Sequence, residues 1–547
     1  MGVGSTWGQD PIQREVNVTR AYEPSVQHSL KLNIMPDMTD TTQMRPDHQY
    51  EITPRPLNYG FAVNPLNPAR IATVAETAPL PFYAKLGAGY ALQSVADIRY
   101  AKPIGDRTHF GAYASHYGRY GKIKNDMQIK ESATGTNNRA GAFLDFRADD
   151  DFLISTELSY DFRNVTRYGY YSSSGSLPSW FDTSKENLKQ HYHNPRFDFF
   201  AGNSFTDHNK FNFGLSGGVN YFADRYNYNQ FGWEFDASFG FRAGTDGFFI
   251  VGAQAFGNSG MKNIRDFSNI AGYPKATYYF DNGDFRFTLG VKIGYTETKM
   301  GDEKDDRSLF LPALTLEKAL AGGRFTPFAD ISSDVTDNSY GAMAKRNPYL
   351  FSGIYAPNTV GYNGRIGVKG TLGTFKYKVY GGYDLFKDYV YWVNAQEYSA
   401  YGNAFSVLTD DLNAFRAGVE VRANILNALT LEGNFVYSDY SPDNYDFAGG
   451  EPEIRAAFGI GYNHRNRLYL KLGAEVTGER TLFEYDGVLK THVLPGQTDL
   501  RFEVEYFINK QFGLFLNLNN LLDHKIYEFN RYRELGINGM AGIKISF

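Results

Sequence analysis

Apolar and polar side chains alternate with a period of two along most of the chain, most clearly over its last fifty residues. In Asp499-Leu-Arg-Phe-Glu-Val-Glu-Tyr506, Leu500, Phe502, Val504 and Tyr506 fall on one face and Arg501, Glu503 and Glu505 on the other. After the polar break Asn509-Lys-Gln511, Phe512, Leu514, Leu516 and Leu518 resume the rhythm opposite Asn517 and Asn519. The chain stops on Met540-Ala-Gly-Ile-Lys-Ile-Ser-Phe547, where Ala541, Ile543, Ile545 and Phe547 share a face against Gly542, Lys544 and Ser546. Alternation of this kind, held over about eight residues, predicts β-strands.

The pattern recurs from Phe82 onward. Strands are expected over Phe82–Tyr90, 96–103, 109–117, 139–147, 152–162, 196–203, 211–221, 233–242 and 248–256, and onward to the end. A turn falls at Gly105-Asp106 and another at 148–151, with a polar loop reaching Asn138 and a Tyr- and Ser-rich insert over about 164–190. A first count gives 21 strands, which would leave the termini on opposite sides of a sheet cylinder. Making 276–280 a strand and Asp281-Asn-Gly-Asp284 a tight turn brings the total to 22; Asn-Gly is a strong turn signal. The short turns then fall in phase at Ala321-Gly-Gly323, Gly373-Thr-Phe375, Leu426-Asn-Ala428, His464-Arg-Asn466 and Asn509-Lys-Gln511.

Composition decides between a soluble and a membrane reading. Aromatic residues are abundant (Tyr 41, Phe 44, Trp 4) beside Gly 56, yet the mean hydropathy is −0.43 and no run is apolar enough for a membrane helix. A chain that is polar on average still spans a bilayer when only alternate residues face lipid. Phe287, Leu289, Val291 and Ile293 oppose Thr288, Gly290, Lys292 and Gly294; Phe415, Ala417, Val419 and Val421 oppose Arg416, Gly418, Glu420 and Arg422. Leu468, Leu470 and Leu472 oppose Tyr469, Lys471 and Gly473. Lys or Arg facing lipid at the midplane costs about 2–4 kcal/mol. The charges therefore mark the lumen: Lys292, Arg416, Glu420, Arg422, Lys471, Arg501, Glu503, Glu505 and Lys544. No blade-length repeat supports a propeller. The predicted fold is all-β, a transmembrane antiparallel barrel of about 22 strands over 82–547, preceded by an extended proline-rich segment. A net charge of −5 gives no case for nucleic acid, and with no cysteine there are neither disulfides nor thiolate metal sites.

Residues 1–9, Met-Gly-Val-Gly-Ser-Thr-Trp-Gly-Gln, read as the remnant of an export signal or as a leader. Residues 10–81 hold ten of the 21 prolines, which deny both helix and paired central strand. Such a segment is extended, and it lies along the barrel, in its lumen, or out in the periplasm; a flexible tail is the plain alternative. Tyr22, Pro24, Pro54, Pro56, Pro65 and Pro68 mark it as a candidate partner-docking or gating segment.

Two stretches carry a family resemblance. Asn517-Leu-Asn-Asn-Leu-Leu-Asp-His-Lys-Ile-Tyr527, Arg531 and Gly539-Met-Ala-Gly-Ile-Lys-Ile-Ser-Phe547 resemble the C-terminal end of TonB-dependent receptor barrels. Val16-Asn-Val-Thr-Arg-Ala-Tyr-Glu-Pro24, Tyr50-Glu-Ile-Thr-Pro-Arg-Pro56 and Asn67-Pro-Ala-Arg70 resemble shortened receptor-like proteins of Bacteroidetes. The resemblance implies the outer membrane of a Gram-negative bacterium, surrounding outer-membrane lipid, and a periplasmic or outer-membrane protein partner. The family's folded plug is not matched by residues 10–81, which puts energy-coupled uptake in doubt.

Other chemistry is sparse. His191-Tyr-His193 offers two imidazoles to a metal or forms a polar loop rim; Gly301-Asp-Glu-Lys-Asp-Asp306 and Asp443, Asp446, Glu451 and Glu453 offer oxygens to calcium or are solvated loop charge. Tyr168-Gly-Tyr-Tyr171 and Trp180-Phe181 would stack on a sugar or protein, line an interface, or pack within a loop. No Gly-x-Ser-x-Gly elbow and no phosphate-binding glycine loop is found, so neither an enzyme nor a cofactor is expected. Two functions remain: a porin-like transport barrel, passive or partner-gated, and a non-transporting envelope component docking a periplasmic partner through its N-terminal segment.

Overall fold

The computed structural model describes residues 80–125, 128–148, 152–170, 188–203, 205, 211–395, 402–426 and 428–547. Tyr22, Pro24, Pro54, Pro56, Pro65 and Pro68 lie outside the described residues, as do Trp180 and Phe181.

Period-two alternation has become a single antiparallel sheet. It contains 24 strands, of which the hairpin Arg480–Tyr485 and Leu489–Leu494 stands outside the cylinder, leaving 22 in a closed barrel. The cylinder closes where Phe82–Tyr90 pairs with the C-terminal strand Asn538–Ser546, Leu86 opposite Ile543 and Ala88 opposite Ala541. Closure removes both sheet edges, so most backbone polar groups of the wall are paired within the barrel, as a bilayer favours; the join of Glu303–Lys318 to Thr326–Thr336 is paired in register only over 314–317. The seam ends in a clasp. Phe82 N donates to Phe547 O at 2.8 Å, Phe547 N donates to Phe82 O at 3.1 Å, and the two rings stack 5.3 Å apart. On the inner side, the ring of Phe515 lies across Gly87 and Gly542, where an added Cβ would come within 2.5 and 2.6 Å of it. We expect Phe547→Ala to remove a stacking contribution of about 0.5–1.5 kcal/mol and to lower the folded fraction after refolding into detergent, read as heat-modifiable mobility on gels. An unchanged folded fraction would show that the backbone clasp suffices.

The outward face follows the expected positions: Leu289, Ile293, Phe415 and Val419 are exposed, while Arg416 and Lys471 on the opposite face are buried. At the rim bearing the short turns and the clasp, Phe rings gather in pairs such as Phe152–Phe213, Phe211–Phe239, Phe241–Phe249 and Phe280–Phe285. An aromatic girdle of this kind marks a membrane–water interface, and short turns mark the periplasmic end. The turn after Phe267–Asp281 is built as its sequence suggests. Gly283 takes φ 89°, which a Cβ would strain, and Asn282 Oδ1 accepts from Phe285 N at 2.8 Å.

The strands run longer than alternation alone predicts. The segment 276–280 is the end of Phe267–Asp281, and 196–203 is the end of Lys189–Asn203. His191-Tyr-His193 is therefore strand, not loop rim. Likewise the stretch 301–306 is mostly the start of Glu303–Lys318, with only 301–302 as a turn. Upper connections are not uniformly long: 91–92, 225–227, 263–266 and 301–302 are all tight. Hydrogen-bonded register persists past the bilayer wherever a polar wall segment stays paired, so loop polarity is a poor guide to where a strand ends.

Candidate functional site

Two features shape the interior: a charged wall and a mouth closed by folded loops. The wall charges pair laterally, along one strand or with a strand one or two places away. Lys292 meets Asp334 at 3.6 Å, Glu420 meets Lys378 at 3.4 Å, and Arg422 meets Glu432 at 3.3 Å near the periplasmic rim. Arg501 takes Asp499 at 2.6 Å and Glu475 at 3.4 Å. Lys544 reaches past Phe512–Asn519 to Glu505 at 2.5 Å, and Lys471 lies opposite Glu503 in register. The most enclosed group is Asp384, fully buried, which takes Arg365 at 2.5 Å and Arg416 at 2.8 Å. Pairing partners two strands apart are invisible until register is known, which is why sequence reading found the lumenal charges one by one and not as pairs.

The mouth was not foreseen. The connection 337–358 carries a short helix, Tyr340–Arg346, capped by Ser339, whose Oγ accepts from Ala342 N at 3.4 Å. Tyr340, Met343 and Ala344 bury one helix face, and Lys345 and Arg346 occupy the last turn, where cations suit the helix dipole. This connection leaves the wall between Thr326–Thr336 and Thr359–Leu372 but packs on Phe222 of the strand Asn212–Asp224, six barrel strands away from the first of these. Tyr340 OH donates to Asp224 Oδ2 at 2.7 Å, and Gln230 Nε2 donates to Ser339 Oγ at 3.0 Å. The loop thus spans the opening.

Three other connections meet it. Tyr349 stacks on Tyr532 of the connection 520–537 with ring centroids 3.6 Å apart, and Tyr168 packs edge-on to both, at 6.3 and 5.0 Å. Phe405 and Phe529 complete the knot. Two of its phenols find backbone acceptors, Tyr532 OH on Asn403 O at 2.5 Å and Tyr168 OH on Arg533 O at 2.8 Å, and beside them Tyr192 OH donates to Pro348 O at 2.8 Å. Burial pushes the Tyr349 phenol up to about 12 and those of Tyr168 and Tyr532 well above the usual range. They remain neutral donors at any physiological pH, so the knot does not loosen by their ionisation. Its edges are held by charge: Arg119 pairs with Glu534, Arg531 takes Glu484 at 2.6 Å, and Arg480 Nη2 donates to Tyr527 O at 2.6 Å.

The aromatic insert at Tyr168 and Tyr170 is accordingly loop packing, both side chains being buried within the cap. His191 and His193 lie 5.2 Å apart on the outer face, His193 hydrogen-bonded to Tyr160 OH at 2.6 Å. Of the oxygens at 443–453, Glu451 is occupied by Tyr389 OH at 2.7 Å and Arg455 at 2.8 Å. Aromatic residues inside polar loops, such as Tyr527, Phe529 and Tyr532, were the available signal for the cap.

No protein-family model matches the chain, and no curated protein matches it. Solved structures do. The FrpB iron transporter from Neisseria meningitidis superposes with a TM-score of 0.67 at 11% identity, covering 86% of this chain and 82% of that one. The pyoverdine outer membrane receptor FpvA from Pseudomonas aeruginosa PAO1, bound to pyoverdine, gives 0.64 at 12%, covering 86% and 79%. The copper transporter OprC gives 0.62 at 12%, covering 85% and 80%. These neighbours are TonB-dependent receptors with 22-strand barrels. At such identities the likeness shows the fold. That fold is an outer-membrane β-barrel, resembling receptors of Gram-negative bacteria, and its place is the cell outer membrane.

Proposed function

We propose that this chain is a partner-gated transport barrel, closed at rest on its extracellular side by the loop cap. The observation that carries the reading is the span of 337–358 across the mouth, locked by Tyr349 on Tyr532 above a lumen lined with charge. A passive porin would keep that mouth open. The structural neighbours, named as receptors and transporters, support transport over catalysis. One of them is a complex of FpvAI with pyocin S2, which supports a ligand or protein partner for this barrel. The reading includes the finer point that residues 10–81, preceding the barrel in sequence as in the shortened receptor-like proteins of Bacteroidetes, dock a periplasmic partner.

Planar-bilayer conductance tests it. The intact barrel is expected to be silent, and removing residues 10–80 is expected to leave it silent, because the cap still closes the mouth. A large steady conductance of the intact protein would overturn the closed resting state. Opening on removal of 10–80 alone would assign the gate to that segment. The second reading, a non-transporting envelope component, is favoured by the proline spacing of 10–81. It predicts silence even after the cap is broken.

A further inference from the structure

We propose that the outer wall carries a binding site for an acylated, phosphorylated glycolipid of the outer leaflet. A groove of about 270 Å³ lies on the outward side of Gln93–Ile104, Thr108–Arg119 and Gly135–Arg147. Register places Ile98 opposite Ala114, Ala114 opposite Ala140, and Ala140 opposite Tyr160. One row nearer the periplasm the same strands carry Tyr100, Ala112, Ala142 and Leu158. The floor is therefore alanine on two adjacent strands, walled by Ile98 and Tyr100 on one side and by Leu158 and Tyr160 on the other. Below it Phe110 faces Leu144, and above it stands His116. The alanine floor runs over two rows, about 7 Å at about 3.3 Å per residue, within a groove whose lining includes Ile98, Ala114, Ala140 and Tyr160. Its apolar floor suits a segment of one acyl chain.

The upper end of the trough is polar. Ser94 Oγ lies 2.8 Å from His116 Nε2, and His116 Nδ1 lies 2.6 Å from Asn138 Oδ1, which can only accept. The imidazole thus donates from Nδ1 to Asn138 Oδ1, with Ser94 Oγ at its other nitrogen. Two strands on, Tyr160 OH and His193 Nδ1 are 2.6 Å apart. Polar side chains turned outward would be costly against hydrocarbon, so this row sits at headgroup depth. From Ser94 to His193 it crosses four strand intervals, about 19 Å at 4.8 Å each, wider than a single phospholipid headgroup. Hydroxyl, amide and imidazole groups match sugar hydroxyls. Higher on the same face, alternation places Lys189 with His191 and His193, and Arg225 N donates to His191 O at 3.2 Å. Cations there complement phosphate.

The test is native mass spectrometry of the full chain in detergent, offered lipid A and phosphatidylethanolamine at equal concentration. One lipid A is expected to be retained at least about tenfold over the phospholipid. Filling the trough with Ala114→Phe/Ala140→Phe, or with Ala140→Phe alone, is expected to lower its occupancy at least about tenfold. Ala417→Phe, outward on a distant strand, should leave it unchanged, and heat-modifiable mobility reports that each variant folds. Equal retention by the filled variants, equal retention of phosphatidylethanolamine, or no lipid A adduct would overturn the proposal.

Discussion

The double variant Tyr349→Ala/Tyr532→Ala is expected to turn a silent barrel into a conducting one. Each ring is buried, and truncating a buried aromatic costs about 3–5 kcal/mol where the site cannot collapse. Both rings stack on each other and contact Tyr168, so their losses couple and the double cost falls below the sum. That energy comes from the cap and not from the wall, whose stability rests on continuous strand pairing from Phe82 to Ser546. The cap should therefore loosen while the barrel survives. Planar-bilayer recordings should show steps absent from the parent protein, with heat-modifiable mobility unchanged. Removing the anchor of the same connection by Glu534→Gln, which frees Arg119, should act in the same direction but more weakly, since one ion pair replaces a packed cluster. Conductance unchanged in the double variant, with the barrel folded, would sink the cap as the gate.

How much of this was readable in advance follows from where periodicity holds. A strand crossing a bilayer must alternate, so the all-β barrel and its count of 22 were legible. The turn at Asn282-Gly283 settled the parity because its chemistry is local. The cap has no period. Tyr168, Tyr349 and Tyr532 come from three connections far apart in sequence, and each alone looks like an ordinary loop aromatic. His191 and His193 were misplaced for the opposite reason: Lys189–Asn203 remains paired beyond its apolar part, so polarity concealed a strand. The lumenal charges showed their face but not their partners, because Lys544 and Glu505 meet only once two registers are fixed.

The largest expected loss of wall stability comes from Asp384→Asn. Asp384 is fully buried and holds Arg365 through two contacts, at 2.5 and 2.9 Å, and Arg416 at 2.8 Å. Two guanidiniums on one carboxylate already carry an excess positive charge. The amide keeps the shape of the side chain and removes the only negative charge at the centre of that triad. Breaking a buried pair in this way costs about 3–5 kcal/mol, since the remaining ions stay desolvated without compensation. Arg365 has little room to retreat, because its side chain lies against Gly382, where an added Cβ would come within 2.5 Å of Arg365 Cδ. Unfolding in denaturant from lipid vesicles should therefore show a clear fall in midpoint for Asp384→Asn. Arg422→Ala supplies the contrast: its pair with Glu432 sits near the rim with the Arg422 side chain 57% exposed, and such pairs contribute about 0–1 kcal/mol. A fall no larger than that of Arg422→Ala would mean that Asp384 is solvated from the lumen. It would then belong with the groups a passing solute meets. A large fall would make the triad part of the wall and leave solute preference to the exposed rim charges.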